Sequence, residues 1–395
     1  MRLTAVVAIA ASAVALSVSA CGSEAGGQSE GTGPIKVGAW FPLTGPVAAT
    51  GIPQRAGARA YFRQLNANGG INGRKVDYIT RDNAYDPAQT IQVARSLIGS
   101  DKVVAIVASN GTATTAAAFP YVLNQAKVPI LLTYGGAADW YDPPKPMLYG
   151  FQTLYEHATA EAATWAAEDG AKNILVIRSD PAAFKIAAAP AGPAAKSVDP
   201  SVSVSELVVK FQTTDYSPVV AQVKRKNPDA VVTVLSFPEL SAYLKQAKLQ
   251  GLDVPAYSYT GAADEGLLKL AGSAAEGLKL LSLTKLPDDD SPAMREYRAA
   301  MAKYEPGQKP TLSSAATYAA AKAFTEVVKG IKGDVTPTTI ADAFAKAGSV
   351  ETGILPPLEF SSSTHLGTDE VQRVVVRGGK FEAVGDFRKP PAVAQ

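Results

Sequence analysis

Short apolar runs that alternate with amphipathic segments are the feature of this sequence that most restricts its fold. Each run is nearly continuous and rich in valine, isoleucine and leucine, a pattern typical of strands buried on both faces of a parallel sheet. The runs are Ile35–Trp40, Val103–Val107, Pro129–Leu132, Asn173–Ile177 and Ala230–Leu235. Apolar residues at helical spacing occupy residues 51–68, 87–98 and 216–226. Strand alternating with helix predicts βαβ units, and therefore an α/β fold with parallel sheets.

The strand and helix segments fall into two successive sets, which predicts two doubly wound lobes. About 360 residues follow the N-terminal region, more than one ordinary domain contains. Residues 292–303 and 313–332 have a helical pattern and follow the second set, which indicates that the chain returns to the first lobe. β-rich stretches follow at residues 358–360, 371–377 and 380–384. The predicted lobes are residues 35–153 plus 284–352 and residues 154–283 plus 353–388.

An apolar segment with a single cysteine at its end opens the chain. Arg2 gives a basic start, residues 3–20 are almost all apolar or small, and Cys21 is the only cysteine among 395 residues. This order is typical of an export signal at residues 1–20. The stretch Val18-Ser19-Ala20-Cys21 resembles the bacterial lipobox, which implies that Cys21 is lipidated and becomes the first mature residue. The alternative is a plain signal peptide or a membrane anchor in which Cys21 has no role.

The segment after the cysteine predicts how the folded part is attached. Residues 21–34 are mostly polar, rich in glycine and without periodicity, as expected of a flexible tether. A diacylglyceryl group together with an N-acyl chain would hold the protein firmly on a membrane, since one chain alone anchors only marginally. We therefore expect the protein on the extracytoplasmic face of the cell membrane, at the cell surface or in the periplasm.

Composition and missing motifs argue against several function classes. The net charge is +2 with no basic block, so no nucleic-acid partner is expected. The two histidines, His157 and His365, lack the spacing of metal ligands, and no phosphate-binding or nucleophile-elbow motif occurs. The glycine-rich residues 69–74 follow a helix and predict a turn, and Asp288–Asp290 predicts a hydrated loop. We expect neither an enzyme nor a cofactor, although the many carboxylates leave a carboxylate-pair hydrolase open.

Seven short motifs occur in the order and spacing of one known family. They are FPLTGPVAATG (41–51), LNANGGINGRKV (65–76), RDNAYDPAQTIQVARSLI (81–98), VPILLTYGG (128–136), KNPDAVV (226–232), KQAKLQGL (245–252) and AGSAAEGL (271–278). Together they resemble the periplasmic binding proteins for leucine, isoleucine and valine, the type I solute receptors of ABC importers. The resemblance runs from Ile35 to about Phe387. It implies two lobes joined by a hinge of three crossings that close on a ligand, and a monomer whose partners are a small molecule and ABC permease subunits.

The resemblance also implies where the ligand's charged groups bind. In the family, the loop after the third strand offers a hydroxyl and backbone N–H groups to the ligand carboxylate, and here Thr112 and Thr114 are the candidates. Hydroxyls and amides at a helix start favour an anion; the alternative is that each threonine merely caps the helix. In the next loop, Gly135 and Gly136 keep the family's backbone contact to the ligand's amino group, but Ala137 stands where the family has a threonine.

A second departure from the family pattern concerns the same amino group. The family's amine-binding glutamate corresponds to Thr260, unless a shift of the alignment brings Asp264 or Glu265 to that place. A buried ammonium group without a partner is costly. The ligand is therefore either a branched-chain amino acid or an aromatic or aliphatic acid without an amino group, and the departures favour the second.

Four further positions concern the apolar part of the ligand. Thr50 replaces an aromatic residue of the family, which widens one wall. Phe184 and Phe237 fall where the second lobe usually presents tyrosines, and Tyr155 lies near the crossing into that lobe. The alternative for both phenylalanines is an ordinary place in the core.

These observations predict the substrate-binding subunit of an ABC importer. The rival function is a receptor that passes its ligand signal to a signalling partner instead of a permease. A permease gene beside this one would favour the importer.

The lipobox resemblance generates a prediction about Cys21. Replacing Cys21 by alanine should release the protein from the membrane fraction or leave it unprocessed, because no acyl chain can then be attached. Fractionation and the apparent mass of the protein measure this. A Cys21→Ala variant that stays in the membrane fraction at mature size would contradict the prediction.

Overall fold

The computed structural model describes residues 33–45 and 47–392. The predicted signal peptide, the lipidation site Cys21 and most of the predicted tether lie outside these residues. None of the helices in the described part combines the length and the apolar character needed to cross a bilayer.

The first lobe is built on a five-stranded parallel sheet. Its strands are β1 (Ile35–Phe41), β2 (Val76–Asp82), β3 (Ala105–Val107), β4 (Ile130–Leu131) and β5 (Leu148–Tyr149). The order is β2-β1-β3-β4-β5, and every neighbouring pair is parallel. The connecting helices are α1 (Ala48–Ala67), α2 (Pro87–Gly99) and α3 (Thr112–Phe119). The central strands are apolar and buried, as their continuous hydrophobic runs predict.

The second lobe repeats the same alternation. Its strands are β6 (Asn173–Ser179), β7 (Ser203–Val209), β8 (Ala230–Val234), β9 (Ala256–Ser258) and β10 (Lys279–Ser282). Its helices are α4 (Tyr155–Glu168), α5 (Ala182–Ala188), α6 (Ala191–Val198), α7 (Ser217–Lys226), α8 (Phe237–Leu249) and α9 (Glu265–Ala271). β6 to β10 pair in parallel in the order β10-β9-β8-β6-β7. The predicted α/β fold with parallel sheets is therefore confirmed.

After β10 the chain returns to the first lobe. The elements are α10 (Pro292–Tyr304), α11 (Leu312–Lys329), α12 (Pro337–Phe344), β11 (Gly348–Val350) and β12 (Leu358–Phe360). Helix α11 packs closely on α1, where a side chain at Gly57 would overlap the carbonyl oxygen of Ser314. Both α11 and α12 start at a threonine whose hydroxyl accepts a hydrogen bond from a backbone N–H of the first turn.

The chain crosses from the first lobe to the second for the last time after residue 353, the boundary that the sequence predicted. β12 pairs with β11, and Gly150, which follows β5, donates to the His365 carbonyl (2.8 Å) and accepts from the Gly367 N–H (2.9 Å). These backbone hydrogen bonds hold residues 353–367 against the first lobe. The chain enters the second sheet only with β13 (Val371–Arg377) and β14 (Lys380–Arg388).

The final two strands make the second sheet mixed instead of purely parallel. β13 pairs antiparallel with both β10 and β14 at one edge. Only Gly378 and Gly379 separate β13 from β14, and both have positive φ (55° and 73°). Two such residues in a hairpin loop match the twist of the strands, which explains why a glycine pair stands there.

Polar contacts tie the first and last crossings together. The Thr153 hydroxyl donates to the Glu370 carbonyl (2.9 Å), and His157 Nδ1 lies 2.7 Å from an Asp369 carboxylate oxygen. Hydrogen bonding to Asp369 raises the pKa of His157. The two crossings therefore lie side by side at the hinge, and they set how the two sheets face each other.

Candidate ligand-binding site

A cleft of about 520 Å³ lies between the two lobes, within the range of small-molecule sites. Its walls come from the loops that follow the strands of both sheets. In parallel sheets these carboxyl-end loops share one edge, which is where ligands bind in α/β folds. Among the described residues that line the cleft, none is a lysine or an arginine.

The start of α3 faces the cleft and has no side-chain cap. Gly111 occupies the cap position with φ 115°, where no side chain could accept a hydrogen bond. The backbone N–H groups of Thr112 and Ala113 have no hydrogen-bond partner within the described part of the chain. The Thr112 hydroxyl is 3.5 Å from the Tyr155 hydroxyl. Unpaired donors at a helix start make this corner suited to an anion.

Four tyrosines, which we call the tyrosine cluster, surround that corner. They are Tyr85, Tyr134, Tyr155 and Tyr259. Burial is the main cause that raises the pKa of all four phenols, so each stays a neutral hydrogen-bond donor at physiological pH. The rings of Tyr155 and Tyr259 meet edge to face, with centroids 5.6 Å apart.

Three phenylalanines, the phenylalanine cluster, form the wall on the second lobe. They are Phe184, Phe211 and Phe237. The rings of Phe184 and Phe211 lie 5.7 Å apart at 41°. Phe237 begins α8 and is only 3% exposed, yet its side chain lines the cleft. This end of the cleft is apolar and suits a hydrocarbon or a ring.

Glu239 is the one carboxylate among the described residues that line the cleft, and its oxygens are already bonded. It accepts hydrogen bonds from the Ser236 N–H (3.0 Å) and the Ser236 hydroxyl (2.6 Å), which together cap α8. Its other oxygen accepts from the Gln212 N–H (2.9 Å) and the Ser179 hydroxyl (3.1 Å). These four hydrogen bonds fix the Glu239 carboxylate in the wall of the cleft and occupy both of its oxygens.

The structure brings five of the ten predicted site residues to the cleft. Thr50, Thr112, Tyr155, Phe184 and Phe237 all line it. Phe184 belongs to α5 and Phe237 to α8, so the two side chains reach the cleft from different helices.

The other five lie behind the wall, for local reasons. Thr114 is buried in α3 and is not part of the cleft lining, and its hydroxyl has no partner among the described residues. Gly135 packs against Trp140, and the Gly136 carbonyl accepts the Tyr155 N–H (2.9 Å). Ala137 follows them outside the lining, and Thr260 is only 2% exposed between two residues that do line the cleft. We leave these five out of the proposed contact set.

Sequence reasoning did not assign most of the lining residues, and five of those it missed have large or polar side chains that bear on the ligand. They are Tyr85, Asn110, Tyr134, Phe211 and Tyr259. The four aromatic ones share one signal, since each stands within three residues of the end of a strand: β2, β4, β7 and β9 respectively. An aromatic residue directly after a parallel strand is placed at the ligand edge of the sheet, so this spacing could have identified them.

Asp264 and Glu265 face another helix and do not line the cleft. Asp264 accepts from the Ser313 hydroxyl (2.6 Å), and Glu265 accepts from the Leu312 N–H (2.8 Å) at the start of α11. Burial raises the pKa of Asp264 and raises that of Glu265 to about 8, with the Asp264 charge as a further cause for Glu265. The pair therefore links α9 of the second lobe to α11 of the first.

No cluster of metal-ligating side chains occurs in the described residues. The two histidines serve structural contacts. His157 pairs with Asp369 at the hinge, and His365 stacks on Tyr149 with ring centroids 4.2 Å apart.

Comparison with known proteins identifies the family. The sequence model described as periplasmic binding protein matches residues 34–380. The chain belongs to the periplasmic binding protein family. The resemblance inferred from the seven motifs is thereby confirmed, and because members are solute-binding proteins, so is the expectation that the chain is not an enzyme. Such proteins act outside the cytoplasmic membrane.

Proteins similar to this periplasmic binding protein are named for, or contain, different ligands. The leucine-specific-binding protein of Salmonella typhimurium is 27% identical over 328 residues, covering 78% of this chain and 85% of the relative. A branched chain amino acid ABC transporter protein from Thermus thermophilus with bound valine has a TM-score of 0.80 at 18% identity, covering 91% and 98% of the two chains. A solute binding protein of R. palustris in complex with benzoate has a TM-score of 0.79 at 18% identity, covering 92% and 98%.

The contact between Glu265 and α11 predicts a pH dependence of stability. The pKa of this carboxyl is about 8 in the folded protein and near 4.5 when exposed, so folding takes up a proton between these values. The stabilisation is complete below about pH 4.5 and is lost as the pH rises towards 8. Glu265→Gln keeps an oxygen for the Leu312 N–H but cannot ionise. We expect the variant to be more stable than wild type at pH 9, by up to a few kcal/mol.

Urea unfolding at pH 5 and pH 9 measures this difference. Asp288→Asn is the matched control, because Asp288 is an exposed carboxylate that adds only a distant charge. The control should keep most of the wild-type pH dependence. Equal pH dependence in wild type and Glu265→Gln would contradict the prediction.

Proposed function

We propose that this periplasmic binding protein is the substrate-binding subunit of an ABC importer and that its ligand is a small monocarboxylate without an amino group. One observation carries the proposal: the uncapped start of α3 opens into an aromatic cleft that contains no free carboxylate. Such a cleft offers donors to an anion and apolar surface to its body, but no free carboxylate as the counter-charge of an ammonium group.

The anionic end of the ligand fits the corner at Thr112. The free N–H groups of Thr112 and Ala113, the Thr112 hydroxyl and the neighbouring phenol of Tyr155 are all donors within one corner. A carboxylate accepts up to four hydrogen bonds, and bonds to a charged group are the stronger ones. A lysine or arginine is therefore not required for binding a single negative charge.

The lack of a free carboxylate argues against an amino acid, since the unpaired Asn110 Oδ1 in the cleft lining is a neutral acceptor and supplies no counter-charge. Glu239 already accepts four hydrogen bonds, and Asp264 and Glu265 face α11. A zwitterion would bury its ammonium group without a counter-charge, and sites discriminate strongly when a charged or polar group lacks its partner. The benzoate complex among the structural neighbours supports the view that this fold accommodates an acid without an amino group.

The relatives support the proposed transport role, and the N-terminal sequence supports the proposed membrane attachment. Relatives are named for leucine binding, and two neighbours are described as ABC transporter proteins. We propose the same partnership here, with a permease as the partner and lipidated Cys21 as the anchor. A site that releases one small acid to a permease needs no cofactor.

Calorimetry with leucine and 4-methylpentanoate tests the ligand class. The two molecules share the same apolar body and carboxylate and differ only in the amino group. We expect the acid without the amino group to bind more tightly, because leucine must bury its ammonium group without a counter-charge. A bound acid at 100 times its Kd should also add about 2.7 kcal/mol to the free energy of unfolding. Tighter binding of leucine would overturn the proposal.

A matched pair of threonine variants tests the anion corner. Thr112→Val should weaken binding of 4-methylpentanoate about tenfold or more, since losing a hydrogen bond to a charged group costs roughly 1.5–3 kcal/mol. Thr114→Val removes the same hydroxyl two residues further, where it has no partner and does not face the cleft. It should leave the affinity unchanged. Similar affinities in the two variants would remove Thr112 from the site.

A further inference from the structure

Three members of the tyrosine cluster bring phenol donors to the cleft that the described part of the chain leaves unpaired. Tyr259 is only 6% exposed, and its hydroxyl has no hydrogen-bond partner within the described part of the chain. The hydroxyls of Tyr85 and Tyr134 also lack one there. An unpaired hydroxyl is not confined to the cleft, since the buried hydroxyls of Tyr141 and Tyr216 also lack a partner among the described residues. What distinguishes Tyr85, Tyr134 and Tyr259 is that they line the cleft, where a bound group that accepts hydrogen bonds can pair with their hydroxyls.

The cluster converges on the same corner as the start of α3. A side chain at Gly111 would come within 3.2 Å of the Tyr85 ring, and the Gly111 N–H donates to the Tyr134 carbonyl (3.1 Å). Tyr155 lies beside Thr112. One carboxylate placed at this corner would therefore meet phenol donors from three loops and from α4.

The loop that carries Tyr85 is strained, and its strain aims the ring into the cleft. Ala84 and Tyr85 both have positive φ (47° and 58°), which is uncommon for residues other than glycine. Side chains hold them there, since Asp82 accepts from the Ala84 N–H (2.8 Å) and Asn83 accepts from the Tyr85 N–H (3.2 Å). Backbone strain of this kind persists where the surroundings fix it, and often at ligand sites.

The space between the two aromatic clusters fits a ring better than an aliphatic chain. The tyrosine cluster lines one side and the phenylalanine cluster the other, with an edge-to-face pair in the first and a tilted pair in the second. An aromatic ligand ring can make the same edge and face contacts with both, which adds to its burial. A saturated ring of the same size gains burial alone.

We propose that the ligand is an aryl carboxylate, whose carboxylate accepts hydrogen bonds from the tyrosine hydroxyls and whose ring lies between the tyrosine and phenylalanine clusters. The inference rests on the proposed function and selects one of its ligand classes. Its specificity-determining residues are Tyr85, Tyr134 and Tyr259, three neutral phenols that have no partner within the described residues.

Two pairs of acids test the ring preference by calorimetry on the wild-type protein. The pairs are benzoate with cyclohexanecarboxylate, and 3-phenylpropanoate with 3-cyclohexylpropanoate. In each pair the carboxylate is kept and only the aromaticity changes. We expect at least one aromatic acid to bind, and to bind roughly threefold or more tightly than its saturated partner.

Removing the hydroxyls while keeping the rings tests the phenol donors. The combined variant Tyr85→Phe, Tyr134→Phe and Tyr259→Phe should weaken binding of the preferred aromatic acid about tenfold or more, with little change in Tm, because these hydroxyls have no protein partner. Tyr78→Phe is the control, since its hydroxyl donates to Val107 in the first lobe and lies outside the cleft lining. It should lower Tm and leave the affinity unchanged. If the combined variant does not fold, the same affinity and Tm measurements are made on the three single Tyr→Phe variants.

The outcomes separate this inference from the proposed function. Equal binding of the saturated and aromatic acids, unchanged affinity in the hydroxyl variants, or no binding of either aromatic acid would overturn the inference. In each case the proposed function stands if 4-methylpentanoate still binds more tightly than leucine. Tighter binding of leucine than of every acid would overturn both.

Discussion

The parallel pairing of strands is the constraint on which the rest of this structure depends. Because neighbouring parallel strands run the same way, they are joined by crossover connections, most of them helical here, and the loops that follow these strands meet at one edge of their sheet. Two such edges face each other here, since backbone hydrogen bonds at Gly150 and polar contacts at Thr153 and His157 hold the crossings side by side. The cleft is the space between these edges. Residues distant in sequence, such as Tyr85 and Phe237, line it together for this reason.

The cleft also shows how polar groups are distributed between structure and ligand. The carboxylates are used by the protein: Glu239 caps α8, while Asp264 and Glu265 receive donors from α11. The donors at the start of α3 and on the tyrosine cluster are left without partners in the described residues. A ligand that brings acceptors therefore gives these donors hydrogen-bond partners. The same asymmetry leaves a ligand ammonium group without a counter-charge.

Sequence reasoning located the site more securely on elements with strong local signals than on loops. Thr112 and Phe237 stand at helix starts directly after buried strands, and both line the cleft. Gly135, Gly136 and Ala137 were assigned from the family pattern, but Tyr155 and Trp140 cover that loop. The position of a loop depends on the residues that pack against it, and a local sequence pattern does not show which residues these are. Tyr134, one residue earlier, lines the cleft instead.

The order of apolar runs and helical segments by itself determined the α/β class and the two lobes, because burial on both faces of a parallel sheet leaves a readable pattern along the chain. Once a parallel sheet is inferred, the loops at the carboxyl ends of its strands are the expected place of a ligand site. Only the tertiary structure decided which side chains in those loops face the ligand and which face other helices. Glu265 illustrates the difference: its sequence context allowed an amine-binding role, whereas the return of α11 places a free N–H against it. That contact joins residues 47 positions apart, so its formation is a property of the fold.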